Sequence, residues 1–183
     1  MLLKIITKNI FGWLYFSYQV IILNFFFRNR NIIISDIDNT LSHTYPCINK
    51  GGLKIHYRNL SYFPLVKEYI LLRKDKSNAK MFFLSVRPIG VFFKTASWLK
   101  KVGFEGVNPV NLFFVTSPTQ KISLLKKIIN KKRKILFIDD FSYNTENGET
   151  FFFQNEIDAV SSLNVEYIGY HQVKAMQETV QNF

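Results

Sequence analysis

From residue 31 onward, short apolar runs alternate with longer amphipathic stretches, the pattern of repeated βαβ units around a mainly parallel sheet. The runs at 31–35, 80–84, 111–115 and 134–138 read as strands, with a weaker one at 165–168. A helix is expected from Pro64 to about Lys74, with Leu65, Tyr69, Ile70 and Leu72 on its apolar side. A second should run from near Ile89 to Gly103, a residue suited to the left-handed stop after Val102. A third begins at Ser117, with Pro118 at its first position, Gln120 as capping partner and Ile122, Leu125, Ile128 and Ile129 as its apolar set. Asn147-Gly148 ahead of the apolar 150–153 run predicts a hairpin, and the polar tail after Gln172 a terminal helix or frayed end. The expected fold is α/β, a doubly wound and mainly parallel sheet over 31–171, between a hydrophobic segment at 1–30 and a tail at 172–183.

Residues 10–27, IFGWLYFSYQVIILNFFF, carry no charge and are flanked by Lys4, Lys8, Arg28 and Arg30. A bilayer span takes roughly 17 to 25 residues, so this run is at the short end, and Ser17, Gln19 and Asn24 lower its hydrophobicity. A cleaved signal peptide is disfavoured, because the run ends in NFFFRNRN without the small residues of a cleavage site. Trp13, Tyr15 and Tyr18 also suit a helix lying in the headgroup plane. Three outcomes stay open: a span, an in-plane anchor, and a helix packed on the domain. Membrane association is the expectation, with the domain on the cytoplasmic face.

The 183 residues are enough for one core, and 48% hydrophobic residues with 19 Phe and 9 Tyr supply the surface to fill it. The lone Cys47 excludes an intrachain disulfide and has no ligand cluster around it, which suits a reducing compartment. A net charge of +11 implies affinity for polyanions: a phosphorylated substrate, an anionic membrane surface or nucleic acid. Its densest stretch, Lys126, Lys127, Lys131, Lys132, Arg133 and Lys134, reads as a solvated helix face and turn. His43, His56 and His171 form no cluster in the sequence.

Asp36-Ile37-Asp38-Asn39-Thr40 follows directly on the apolar strand NIIIS, which places two carboxylates where ligands bind in open α/β sheets. Alone, such a segment is an ordinary strand-ending loop. Three further polar features occur in order beyond later strands: Ser85 after KMFFL, Lys121 in the capped helix after NLFFV, and Asp139-Asp140 after KILFI. A carboxylate attacks a dianionic phosphate only when nearby cations cancel the repulsion, which calls for the lysine and for a metal on further carboxylates. Mg²⁺ suits such hard oxygen donors, and fixed donors such as Ser85 and Lys121 can meet charge developing on a transferring phosphoryl group.

These four features resemble the haloacid dehalogenase superfamily of phosphotransferases, over nearly all of the chain outside the N-terminal segment. The resemblance implies a Rossmann-like core and a hydrolase in which Asp36 is the nucleophile and Asp38 the general acid and base. By the same resemblance Ser85 and Lys121 hold the phosphoryl oxygens. Mg²⁺ is held by Asp36, the backbone carbonyl of Asp38 and Asp140, with Asp139 in support and Asn144 as an outer ligand. The spacing of these features leaves no room for a large cap domain, and an open site of this kind goes with macromolecular or membrane-borne substrates, or with oligomers. Gly51-Gly52, between Tyr45 and Tyr57, is a candidate flap.

A shorter likeness lies in Leu84-Ser85-Val86-Arg87-Pro88-Ile89-Gly90 and in Val115-Thr116-Ser117-Pro118. These are similar to loops of lipin-type phosphatidate phosphatases and their yeast actin-patch relatives, although Asn39 stands where the lipin loop has glycine. The likeness implies that Arg87 reaches the substrate phosphate or headgroup; the alternative for Arg87 is a loop-fixing salt bridge. Three functions follow as expectations: a phosphatase of a membrane-borne phosphatidate-like or lipid-linked substrate, a phosphatase of soluble or nucleic-acid-end phosphates, and a noncatalytic phosphate-lipid binding module.

Overall fold

The structure is a computed structural model and describes residues 2–27, 30–44, 60–130, 132–144 and 149–177, the side chains of 2–11 and 144 excepted. The strands β1 (Ile32–Ser35), β2 (Lys80–Ser85), β3 (Leu112–Phe114), β4 (Ile135–Ile138) and β7 (Glu166–Ile168) form one parallel sheet in the order β3-β2-β1-β4-β7. The chain steps outward from β1 to β3 and then crosses back to β4, so the order reverses between β1 and β4. A crevice opens at such a switch point, at the carboxyl ends of the strands.

Alternation along each strand feeds two cores. Ile33 and Phe83 face helices α2 (Pro64–Ser77) and α3 (Phe92–Val102), whereas Ile32, Ile34, Phe82 and Leu84 face α4 (Pro118–Ile128) and α5 (Gln154–Ser161). Strands buried on both sides read as continuous apolar runs, which is why they were visible in the sequence. A short helix α6 (Tyr170–Ala175) follows β7, with Val173 in the first core.

Two caps behave as expected. Gly103 ends α3 at φ 103°, and the Ser117 hydroxyl accepts from the Gln120 amide at 3.2 Å to start α4. The Gln120 side chain reaches one residue further back than a capping box requires, accepting from the Thr116 amide at 2.7 Å. The expected face of α2 is wrong in part: Val66 and Ile70 make the buried row, whereas Leu65 and Leu72 point to solvent, Leu72 being 70% exposed. Val66 and Ile70 stand four apart and align on one face, and a scatter of apolar residues around α2 left that choice to packing.

The N-terminal helix α1 (Leu2–Ile21) runs into a π-helical turn at Ile22–Phe26. Its second half straddles the open edge of the sheet, with Tyr15 against one core and Phe16, Tyr18 and Val20 against the other. The edge strand β3 would otherwise present an unpaired peptide group, and α1 takes both ends of it. The Phe114 amide donates to the Tyr15 hydroxyl at 3.3 Å, and Gln19 Nε2 donates to the Phe114 carbonyl at 2.8 Å. Below, Arg133 is buried instead of solvated, donating to the carbonyls of Leu23 at 2.5 Å and Ile128 at 2.8 Å. The charge run is thus split, since Lys126, Lys127, Lys132 and Lys134 are exposed as expected. Among the described residues no helix is long and apolar enough to cross a membrane. The polar residues that lowered the hydropathy of this segment are used on the protein: Gln19 on β3, and Asn24 on the Lys127 carbonyl at 2.9 Å.

The hairpin forms from β5 (Ser142–Asn144) and β6 (Thr150–Phe152), while its Asn147-Gly148 turn lies outside the described residues. So do the Gly51-Gly52 flap candidate, Cys47, His56 and Lys131. His43 packs on Phe63 and His171 on Tyr170, in separate places.

Candidate functional site

The loop after β1 turns at once. Asp36 still belongs to the ladder, its amide donating to the Ile138 carbonyl at 2.8 Å. The amides of Leu41 and Ser42 then fold back onto the Ile37 carbonyl at 3.0 and 2.7 Å. Asn39 occupies the left-handed region at φ 57°, which asparagine tolerates better than most residues, and Gln177 donates to its carbonyl. This turn aims Asp36 and Asp38 into the crevice from one side.

The loop after β4 supplies the other wall. Its carboxylates are fixed by short-range donors: Asp139 Oδ1 accepts from the Phe141 amide at 2.9 Å, and Asp140 accepts from the Thr40 hydroxyl at 2.7 Å and from the Ser142 hydroxyl. Phe141, at φ 43°, reverses the chain immediately afterwards. From the first turn of α4, Lys121 extends into the floor, and its ammonium stands 2.8 Å from Asp36 Oδ1 and 2.7 Å from Asp139 Oδ2. Among the described residues Asp36 Oδ2 accepts no hydrogen bond, and Asp36 lines the cavity at the mouth.

Asp36, Asp139 and Asp140 each bring a carboxylate oxygen within 4.8 Å of the others, all three buried. Burial pushes Asp36 up to about 7 against the pull of Lys121, with Asp139 and Asp38 adding to the rise. Burial likewise lifts Asp139 to about 6 against Lys121, and Asp140 to about 6 with help from Asp36. Burial alone would lower Lys121, but Asp139 and Asp36 outweigh it and hold the ammonium charged. Crowded hard oxygens with a deficit of positive charge are the donor set a divalent cation satisfies.

Asp38 is set apart from this cluster. Arg87 Nε lies 2.8 Å from its Oδ2 and Nη2 lies 2.7 Å from its Oδ1, while Ser85 and Thr44 donate at 3.1 and 2.7 Å. Burial would raise its pKa, yet Arg87 and these hydroxyls hold it below the usual carboxylate range. Arg87 is itself buried, held by Ser42 and Thr95 with the Trp98 ring 5.8 Å away.

All seven residues singled out in the sequence therefore meet at one end of the sheet. Arg87 does so as a salt bridge rather than as a free donor. The Asn144 backbone lies in β5, and its side chain is outside the described residues. Sequence reasoning missed Thr44, Ser42, Thr95 and Tyr167, whose hydroxyl donates to the Asp139 carbonyl at 3.0 Å. Of these only Ser42 and Thr44, close after the aspartate pair, carried any signal. Comparison with protein-family models, with curated proteins and with solved structures finds no match to this chain.

Proposed function

We propose that this chain is a Mg²⁺-dependent phosphomonoesterase with a core of the haloacid dehalogenase type, acting through an aspartyl-phosphate on Asp36. The observation that carries the reading is the Lys121 ammonium bridging Asp36 and Asp139 beside Asp140, with Asp36 among the residues that line the cavity. A purely structural ion pair would not need two more buried carboxylates with raised pKa values.

In this reading Asp36 Oδ2 attacks phosphorus, the bond to the leaving oxygen breaks, and Asp38 delivers a proton to that oxygen. Asp38 then takes a proton from water, whose oxygen attacks phosphorus and frees the Asp36 carboxylate. Arg87 holds Asp38 ionised in the geometry described above, so the fork must first open and Asp38 take a proton from solvent before it can deliver one to the leaving oxygen. Lys121 keeps Asp36 oriented and offsets its charge, and Ser85 stands ready to turn its hydroxyl from Asp38 to a phosphoryl oxygen. The residues that would hold Mg²⁺ are Asp36, Asp140 and the Asp38 carbonyl, with Asp139 in support. When bound it supplies charge neutralisation for the attack on a dianion.

The substrate we favour is membrane-borne, a phosphatidate-like or lipid-linked phosphomonoester, with the protein on the cytoplasmic face. Its support is the outward face of α1 and the π-helical turn, where Trp13, Leu14, Ile21, Phe25 and Phe26 are exposed, and the exposed cations Arg30, Lys126 and Lys127, of which Lys127 accepts at its carbonyl from Asn24 of that turn. The docking of α1 on β3 favours a second reading, a soluble phosphate substrate. Phosphate release with Mg²⁺ by the purified chain and by Asp36→Asn tests both, on phosphatidate in mixed micelles, sugar phosphates and 3′-phosphorylated oligonucleotides. Release abolished in Asp36→Asn is expected. Release that survives the substitution, or none from any substrate, would leave a phosphate-binding module in place of an enzyme.

A further inference from the structure

We infer that the β5–β6 hairpin is the specificity element of this site, selecting a phosphomonoester whose leaving group is uncharged and apolar. The inference rests on the phosphoryl-transfer reading above and adds what lies on the far side of the scissile bond.

The hairpin grows out of the carboxylate loop itself. Phe141 donates its amide to Asp139 and accepts from the Phe153 amide at 2.9 Å, so both strands of the hairpin are tied at the base to the floor of the site. Tyr143 pairs with Phe151 across the ladder, the rings stacked at 17° with centroids 5.4 Å apart, and Phe153 lies 5.2 Å from Tyr143. Tyr143 is 46% and Phe151 44% exposed. A ring braced by two others has little freedom left to lose when a ligand settles against it. Tyr143 and Phe153 line, together with Val86 and Pro118, a cavity of about 210 Å³ that the carboxylate cluster also lines.

Charge narrows the choice. The cavity is lined by four carboxylates, Asp36, Asp38, Asp139 and Asp140, and among the described residues by one cation, Lys121. Counting the Arg87 guanidinium paired with Asp38, four negative charges against two positive leave −2, which a divalent cation brings to zero. The guanidinium of Arg87 is closed on Asp38. A single phosphoryl group can be met by the lysine and the cation, whereas among the described residues that line the cavity a second phosphate on the leaving group meets four carboxylates and no second cation.

Phenyl phosphate and hexyl phosphate supply the aromatic and the alkyl form of such a leaving group, glycerol 1-phosphate a polar neutral one, and fructose 1,6-bisphosphate and a 3′-phosphorylated dinucleotide further anions. The wild-type chain with Mg²⁺ should show kcat/KM at least about tenfold higher for the two apolar esters than for the other three. In Tyr143→Ala that ratio should fall about tenfold through KM. Tyr143→Leu separates the sources, keeping the preference for hexyl but not for phenyl phosphate if the ring stacks on an aromatic group. Equal turnover of all five esters, or a preference for the anionic ones, overturns the inference and leaves the phosphatase reading intact. If nothing is turned over that reading fails, and calorimetry decides for the hairpin alone: tighter binding of phenylphosphonate than of methylphosphonate, lost in Tyr143→Ala, sustains it, and equal binding overturns it.

Discussion

Arg87 and Asp38 are joined by a forked ion pair, Nε 2.8 Å from Oδ2 and Nη2 2.7 Å from Oδ1. One residue comes from the loop after β2 and the other from the loop after β1, so the pair fastens together two loops that sequence places far apart. With Ser85 and Thr44 also donating, every acceptor position in the Asp38 plane is engaged. A lysine, a point charge without the fork, could not reproduce this arrangement.

Loss of Arg87 should therefore be costly. Arg87→Ala is expected to lower stability by about 3 kcal/mol, because a largely buried carboxylate loses its counter-charge. Arg87→Lys should recover only part of that loss, while Asp38→Asn added to Arg87→Ala should recover most of it. Urea unfolding of the four proteins checks this, and losses that simply add in the double variant would show that the pair is not coupled.

The strand ends were legible because burial on both faces forces unbroken apolar runs, and the polar residues just past β1 and β4 and at the end of β2, Asp36, Asp139 and Ser85, are delivered to the crevice. Every strand of the parallel sheet lies within one residue of its expected ends. What stayed hidden depends on tertiary packing. Nothing local distinguishes Val66 from Leu65 on α2, or marks Arg133 as the buried member of a lysine-rich run. The bracing of Arg87 by Ser42 and Thr95 joins residues apart in the chain, each an ordinary hydroxyl in its own segment. The apolar segment before β1 was visible, but its use as an edge cover for β3 depends on which peptide groups that strand leaves unpaired.

The carboxylate cluster should make the metal-free chain less stable as pH rises. Asp36 is pushed up to about 7 and Asp139 and Asp140 to about 6, each from an ordinary value of 3.8 and first of all by burial. Acids with raised values bind protons more tightly when folded, so stability falls between about pH 4 and pH 7. Asp38, held low, changes only below that window, and Lys121, held high, only above it. Thermal unfolding in EDTA should give a higher Tm at pH 5 than at pH 8. Mg²⁺ should raise Tm at pH 8, and in Asp140→Asn both the pH slope and the Mg²⁺ response should shrink. A metal-free Tm that is flat across this range would falsify the assignment of raised values.

Gln19 on α1 should contribute to stability through the β3 edge. Gln19→Ala leaves the Phe114 carbonyl unpaired, at an expected cost of about 1 kcal/mol. The figure is at the low end because the Gln19 Oε1 atom is buried without a partner and its removal is favourable. Leu14→Ala, on the exposed face of the same helix, should stay within about 0.5 kcal/mol of the parent. Equal losses in the two variants would mean that the Gln19 bond to the β3 edge adds nothing of its own.

The outward face of α1 decides between the two substrate readings, and the two tryptophans allow it to be read directly. Trp98 is fully buried, with its indole donating to the Leu60 carbonyl at 2.7 Å, whereas Trp13 is 68% exposed. A change in emission on adding vesicles therefore reports Trp13. With α1 docked on β3, the described side chains of this segment that a membrane can meet include Trp13, Leu14, Ile21, Phe25 and Phe26, with Asn24 tied to the Lys127 carbonyl. Vesicles containing phosphatidylglycerol should shift the emission to the blue, vesicles of phosphatidylcholine alone should do so less, and added salt should weaken the response. Inserting one phenylalanine contributes about 1.5 to 3 kcal/mol, so Phe25→Ser should weaken binding by roughly ten- to a hundredfold without loosening α1. If the emission is indifferent to both vesicles, the outward face is no membrane surface, and the soluble-substrate reading takes the place of the membrane-borne one while Asp36 keeps its role.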